Sequence, residues 1–421
     1  MTTPSKTVYL PRMSDHAFAV AGAMRHQGIC AEVLPPPDAE SMAIGLDLCR
    51  GRECLPCFLC IGDMVRRTRR PGFDPERAIF FMPTGPGPCR FGQYRVLERE
   101  ILDRLGLSAV EVVSPDSASS YALFGANPRQ LRQQAWRGIV AVDLLLKLLH
   151  EHRPYETQAG TADATYARCL ERVAQAAEAG GGRRMTEAME WSARQFAARP
   201  AERSAARPVI GVVGELYVML NLYSNGGLVR QIEAAGGEVL QSTFMDWLHF
   251  SAWSRRTQSW LLGDYKDWLA ARLVVSYQDH IEHQLHRTVA PFLRQPADAP
   301  MPSIMEALAP YYDPVLGTEA VVTMGRALDY AAKGVSGILN VMPFSCMPGI
   351  IVGAMAPRLR EPFGDVPWLD LSYDGQEETN IRTRLEAFMH QASQFQRRRA
   401  ARTTALAAKP RRTNGEIPRV E

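Results

Sequence analysis

The sequence predicts an α/β protein with two parallel-sheet lobes, a helical middle segment and a disordered basic tail. Two parts of the 421-residue chain alternate short apolar runs with helix-like segments, which is the pattern of βαβ units. The part between them has only helix-like periodicity, and the end of the chain is rich in arginine. We therefore expect an N-terminal lobe at 1–126, a helical segment and linker at 127–206, a second lobe at 207–396 and a tail at 397–421.

The N-terminal lobe is expected to be Rossmann-like, with strands and helices in alternation. The run Ala78-Ile-Phe-Phe-Met82 is short, apolar and bounded by Pro and Gly, which suits a buried strand of a parallel sheet. The predicted strands are 7–10, 30–34, 78–82 and 110–113, and the predicted helices are 14–27 and 91–105.

The second lobe is expected to be Rossmann-like as well. Val209-Ile-Gly-Val-Val213 predicts a buried strand, and a long helical insertion is expected at 245–293. The remaining strands are predicted at 238–241, 337–341 and 368–373, and the remaining helices at 226–235, 350–356 and 379–395. The tail is expected to be solvated and disordered, and docking to an acidic partner is the alternative.

Composition and charge narrow the functional classes. Apolar residues make up 46% and charged residues 22% of the chain, and the net charge of +3 gives no support to nucleic-acid binding. The start of the chain has no apolar core of a signal peptide, and the most apolar window, 337–355, is interrupted by Pro343 and Pro348. We therefore expect a cytoplasmic protein with no membrane span, whose eight cysteines are reduced thiols.

Five cysteines form the main candidate site. Cys54, Cys57 and Cys60 stand three residues apart, whereas Cys89 and Cys346 lie in Pro/Gly-rich loops that follow predicted strands and precede predicted helices. Ligands of open α/β sheets bind beyond the carboxyl ends of the strands, and a helix N-terminus favours a thiolate. Cys54, Cys57, Cys89 and Cys346 therefore predict a metal or iron–sulfur site between the lobes, with Cys60 as a further candidate.

Spacing alone does not separate an iron–sulfur cluster from structural zinc. The three-residue spacing is that of bacterial ferredoxins, but Met64 occupies the position of their fourth cysteine. Structural zinc usually takes a second compact Cys-x-x-Cys pair, which this chain lacks. Cys30 and Cys169 lie in strand-like and helix-like segments, so we expect them to be ordinary core residues.

Two further features are candidates for chemistry. Glu215 follows the predicted strand at 209–213 and Gly214, so it is expected to face the cleft between the lobes, either as a helix cap or as a catalytic carboxylate. The basic run 66–70 is expected to be a solvated helix end, and contact with a CoA phosphate is the alternative.

Several blocks of the chain resemble the 2-hydroxyacyl-CoA dehydratase D-component family and the non-ATPase part of CoA-substrate-specific enzyme activase proteins. They lie in the family's order between about residues 40 and 395: Gly51-Arg-Glu-Cys-Leu-Pro-Cys57, Gly87-Pro-Cys-Arg-Phe-Gly-Gln-Tyr94, Ile210-Gly-Val-Val-Gly-Glu-Leu-Tyr217, Pro343-Phe-Ser-Cys-Met-Pro-Gly349 and the stretch at 373–389. The resemblance implies an oxygen-sensitive protein with a [4Fe–4S]-type cluster between Rossmann-like domains.

The same resemblance implies site residues. Cys54, Cys57, Cys89 and Cys346 match the family's motif cysteines. Cys60 and Cys49 are not expected in every relative, and such extra thiols could enlarge the cluster or be spare.

The resemblance also implies partners and a class of reaction. Relatives receive low-potential electrons from a separate ATP-hydrolysing activase, and this chain has no Gly-x-x-x-x-Gly-Lys-Ser/Thr loop of its own. We expect low-potential electron transfer, or reductive or radical chemistry of the dehydratase or reductase type on a small substrate such as a CoA thioester, in a homodimer or heterodimer. The alternatives are a non-catalytic cluster-bearing carrier or scaffold and a structural zinc protein.

Overall fold

Eight strands form two parallel sheets in the computed structural model, which describes residues 6–85, 89–114, 127–202, 206–375 and 379–407. The strands are β1 (Thr7–Leu10), β2 (Cys30–Val33), β3 (Ala78–Phe81), β4 (Glu111–Val113), β5 (Val209–Gly214), β6 (Glu238–Gln241), β7 (Gly337–Pro343) and β8 (Trp368–Tyr373). The sheet orders are β2-β1-β3-β4 and β6-β5-β7-β8, and every pair is parallel. The two units therefore share one plan, in which the strand order reverses between β1 and β3 and between β5 and β7. Such reversals create the crevices in which α/β proteins bind ligands.

The first unit contains helix α2, which the sequence patterns did not predict, and helix α3, of which only the end at 66–70 was expected. Its helices are α1 (His16–His26), α2 (Ala39–Leu48), α3 (Leu55–Thr68) and α4 (Tyr94–Arg104). A Cβ atom on Gly62 would lie 1.8 Å from the backbone oxygen of Ser41, and one on Gly45 would lie 2.1 Å from that of Phe58. These two glycines therefore allow α2 and α3 to pack with their backbones almost in contact.

The middle of the chain is helical, as predicted, and packs against the insertion of the second unit. The middle helices are α5 (Pro128–His152), α6 (Thr161–Glu178) and α7 (Arg183–Ala197). The insertion expected at 245–293 consists of two long helices, and it is followed by two more that were not predicted. The helices of the second unit are α8 (Leu216–Leu220), α9 (Leu228–Ala234), α10 (Phe244–Leu261), α11 (Tyr265–Val289), α12 (Met301–Leu308), α13 (Glu319–Lys333), α14 (Met347–Arg360) and α15 (Thr379–Ala407).

One continuous core connects the two sheets. Phe58 and Ile61 of α3 belong to the same cluster of buried side chains as Tyr217 of α8, Val341 of β7 and Phe388 of α15. Contact between apolar surfaces of this kind is the main stabilising term in protein folding. Helix α3 is therefore part of the core that both units share.

Three expectations from the sequence are wrong. Cys30 is exposed because it is the first residue of an edge strand. Arg66 is buried and pairs with Asp63 at 3.1 Å, so this part of the basic run is not solvated. Helix α15 continues to Ala407, well into the segment expected to be a disordered tail, because 397–407 consists largely of the strong helix formers arginine and alanine.

The remaining residues of that tail, 408–421, lie outside the described residues. Among the helices within the described ranges, none combines the length and the apolarity that a membrane crossing needs.

Candidate functional site

The three cysteine segments reach the same region from three different parts of the chain. Cys54 caps the N-terminus of α3, Cys89 precedes the 3₁₀ turn Arg90–Gln93 that leads into α4, and Cys346 caps the N-terminus of α14 directly after β7. Cys57 and Cys60 lie on the first two turns of α3. Their spacing of three residues brings them to the same side of this helix as Cys54.

Arg90 connects all three segments. Its guanidinium donates a hydrogen bond of 2.5 Å to the backbone oxygen of Arg52, beside Cys54, and one of 2.8 Å to the backbone oxygen of Ser345, beside Cys346. Ser345 has a φ of 56°, in the left-handed region that non-glycine residues rarely occupy. A single side chain next to Cys89 thus joins a loop of the first unit to a strained loop of the second.

The thiols are largely buried, and burial raises their pKa. This is the main cause for Cys54, Cys60, Cys89 and Cys346, and it raises the pKa of Cys346 to about 12. For Cys57, the hydrogen bond with the Cys49 thiol contributes most, followed by burial. Without a metal these groups are therefore neutral thiols at pH 7, and metal binding would have to release their protons.

Hydrogen-bond donors beside three of these thiols lower the thiol pKa and so oppose the effect of burial. The Tyr94 hydroxyl lies 2.6 Å from Cys54 Sγ, and the backbone N–H of Cys57 also favours the Cys54 thiolate. The backbone N–H of Phe91 has this effect on Cys89, and that of Gly349 has it on Cys346. Cys54, Cys89 and Cys346 each precede a helix or 3₁₀ turn, and the first N–H groups of such an element have no partner within it. Buried thiolates would thus have donors already in place.

The separation of the sulfur atoms distinguishes two kinds of metal site. Zinc binds thiolates at about 2.3 Å, which places the sulfurs of a tetrahedral site about 3.8 Å apart. In the described part of the chain, no three cysteine sulfurs all lie within 4.8 Å of one another. An iron–sulfur cluster binds its thiolates through different iron atoms, so it holds them farther apart. The cysteine sulfurs of the described residues therefore do not stand at the spacing of an assembled tetrahedral zinc site.

A cavity lined by several polar side chains among apolar ones lies beside Cys346, at the strand reversal between β5 and β7. Its empty volume is about 210 Å³, including the open mouth. Its polar lining comes from Glu215, Glu319, Thr323 and Asn340 together with Cys346. This is the position at which the α/β plan predicts a ligand.

Glu215 both caps a helix and lines this cavity. Its carboxylate accepts hydrogen bonds from the backbone N–H groups of Tyr217 at 3.0 Å and Val218 at 2.9 Å, at the start of α8. Burial, followed by repulsion from Glu319, raises the pKa of Glu215 to about 7. The carboxyl group can therefore hold or release a proton near neutral pH.

Sequence reasoning missed Glu319, the first residue of α13. Burial raises the pKa of its carboxyl group, whereas the neighbouring Cys89 thiol and Trp247 indole lower it. The residue belongs to no recognisable motif and follows no predicted strand. Its only sequence signal is an acidic residue after Gly317-Thr318, which is a common helix start.

A different group of possible metal ligands lies between α10 and α11. Donor atoms of His249, Asp279 and Glu282 all lie within 4.8 Å of one another, and His249 Nε2 is 2.7 Å from a Glu282 oxygen. Burial is the largest single effect on His249 and lowers its pKa. Hydrogen bonding to Glu282 and attraction by the carboxylates of Asp279 and Glu282 together outweigh burial, so the pKa of His249 is raised. This group is therefore well explained as an ion pair.

Comparisons with known proteins add no assignment to this site. Models of known protein families give no match to this chain, and neither do the curated proteins.

Proposed function

We propose that this chain is an iron–sulfur protein in which Cys54, Cys57, Cys89 and Cys346 hold a [4Fe–4S]-type cluster. The observation that carries the proposal is the convergence of three cysteine segments, up to about 290 residues apart, on one region joined by Arg90. Cys60, which is buried three residues after Cys57 on α3, and Cys49, whose thiol is hydrogen-bonded to that of Cys57, are the thiols available to a larger cluster.

The surroundings of the thiols favour a low reduction potential. Burial and the neighbouring carboxyl groups of Glu215 and Glu319 raise the pKa of Cys89 and Cys346, which means that they disfavour negative charge. The same environment would disfavour an added electron, whereas the N–H groups of Phe91 and Gly349 would offset part of this effect. When bound, the cluster would supply one-electron chemistry.

We therefore infer low-potential electron transfer, or reductive or radical chemistry on a substrate. The family resemblance implies that the electrons come from a separate ATP-hydrolysing activase. The cavity beside Cys346 favours an enzyme, because it offers a small molecule space next to the proposed ligands. Glu215 would hold or transfer a proton there. Whether the substrate is a CoA thioester is a further question that binding assays with such thioesters would answer.

A non-catalytic electron carrier is the second candidate. Phe344, Met347 and Ile350 surround Cys346 and are 66%, 39% and 62% exposed. Exposed apolar side chains around a redox centre suit transient contact with another protein. A carrier would exchange electrons with partner proteins and would show no turnover with any small substrate.

Anaerobic purification followed by iron, sulfide and zinc analysis tests the proposal. We expect a brown protein with about four iron and four sulfide per chain, or more for a larger cluster. Cys89→Ser and Cys346→Ser should each lower both contents together. The matched controls are Cys30→Ser on the exposed edge strand and Cys169→Ser in the helical middle. These variants should retain the iron and sulfide contents of the wild type. A colourless protein, with or without zinc, that also fails to take up iron and sulfide on reconstitution would refute the cluster.

A further inference from the structure

The cavity beside Cys346 contains two buried oxygen atoms without a hydrogen-bond partner. Asn340 is 0% exposed, and its Nδ2 donates a hydrogen bond of 2.7 Å to Asp370 Oδ1, which fixes the orientation of the amide. Asn340 Oδ1 is thus an acceptor, and no group in the described residues donates to it. Glu319 Oε2 likewise lacks a donor among these residues. Buried acceptors of this kind are normally satisfied by protein, water or ligand, so the pair can accept hydrogen bonds from a bound molecule that brings donors.

The charge of the cavity narrows the class of ligand. Two carboxyl groups and the Cys346 thiol line it, and the described lining includes no lysine or arginine. The nearby Arg90 already donates to backbone oxygens of Arg52 and Ser345. A cation would be attracted here, whereas a carboxylate or phosphate would be repelled.

We propose that this cavity binds the primary ammonium group of a small organic ligand, whose three N–H donors match Glu215, Glu319 and Asn340. The empty volume of about 210 Å³ includes the open mouth, and the enclosed part holds roughly one water-sized group, so the ammonium group would lie inside and the short carbon chain would extend through the mouth. That the ligand is a substrate rests on the proposed function above. The binding itself does not require the cluster.

Ligand titration into the cluster-free protein tests this inference. Ethylammonium chloride is the probe, and ethanol, sodium acetate and potassium chloride are the matched alternatives, all in a buffer without amines. We expect saturable binding of ethylammonium by calorimetry or by saturation-transfer NMR. Binding should be at least about tenfold weaker for ethanol and absent for acetate.

Isosteric variants locate the binding. Glu319→Gln and Glu215→Gln each remove one negative charge and should weaken ethylammonium binding about tenfold. Glu386→Gln, on the exposed surface of α15, should leave it unchanged. Circular dichroism of each variant shows whether it is folded. If Glu215→Gln unfolds because α8 loses its cap, Glu319→Gln alone tests the site.

Several results would overturn the inference: no saturable binding, equal binding of ethanol or acetate, equal binding of potassium alone, or binding that survives both carboxyl substitutions. The two proposals can fail separately. Ethylammonium binding to a protein that never takes up iron would sustain the ammonium site and refute the cluster. A protein that takes up iron and sulfide but does not bind ethylammonium would support the cluster and refute the ammonium site.

Discussion

The stability of this protein should fall between pH 6 and pH 9, in part because of one buried carboxyl group. Glu98 on α4 is 3% exposed, and burial alone raises its pKa from 4.5 to about 8. The folded protein therefore binds this proton more tightly than the unfolded chain does. Its contribution is fully present below pH 4.5 and is lost as the pH rises through 8.

The size of the effect follows from these two pKa values. At pH 6 the folded state holds the Glu98 proton almost completely, while the unfolded chain has nearly lost it. Each pH unit in this window costs up to about 1.4 kcal/mol, and the loss levels off near the folded-state pKa. Between pH 6 and pH 9 the free energy of unfolding should thus decrease by roughly 2.5 kcal/mol on account of Glu98.

Glu98→Gln isolates this contribution, since glutamine resembles the protonated side chain and does not titrate. We expect the variant to match the wild type at pH 6 and to exceed its free energy of unfolding by roughly 2.5 kcal/mol at pH 9, measured by urea unfolding. Glu100→Gln, on the exposed side of the same helix, is the control and should follow the wild type at both values. Identical pH dependence in wild type and Glu98→Gln would refute the reasoning.

Three further predictions concern the site and its support. Arg90→Ala should weaken cluster retention about thirtyfold, because it removes two exposed hydrogen bonds worth about 1 kcal/mol each. Arg95→Ala should not weaken it, and equal iron contents in the two variants would contradict this. Tyr94→Phe removes a hydrogen-bond donor to the Cys54 thiolate, so it should lower the reduction potential of the cluster by roughly 50 mV. A redox titration followed by electron paramagnetic resonance measures this potential, and an unchanged value would exclude the contact. Gly62→Ala should lower the free energy of urea unfolding by about 3 kcal/mol or more, because its Cβ would clash with the backbone of α2. The open turn residue Gly72 should lose only about 1 kcal/mol on the same substitution, and equal losses would rule out the close helix packing.

The sequence predicts the strands well because buried parallel strands are short apolar runs with Pro, Gly or charged residues at their ends. The run at 209–213 and the whole of β8 are found where the pattern places them. The helices are predicted less well where a functional motif interrupts their periodicity. Helix α3 contains two cysteines and Pro56, and its residues 55–66 are all buried, so it lacks the exposed polar face that marks an amphipathic helix.

The candidate site is predictable only in part for a related reason. The cysteines are rare residues in a recognisable pattern, so the sequence identifies Cys89 and Cys346 directly. Asn340 and Glu319 are common residues that acquire a role only through the close approach of β7 and α13. The exposure of a residue also depends on distant parts of the chain. Cys30 has the local sequence of a core residue, but it is exposed because the sheet order places β2 at an edge.

The order of the cysteines along the chain has a consequence for biosynthesis. Cys54 and Cys57 are translated about 290 residues before Cys346, which at about 5–20 residues per second leaves them without that partner for about 15 to 60 seconds. A cluster that needs all four thiolates could be completed only after most of the second unit has emerged from the ribosome. Until then the early thiols would be open to oxidation or to the wrong metal, so such a cluster would have to be completed late, on a nearly finished chain.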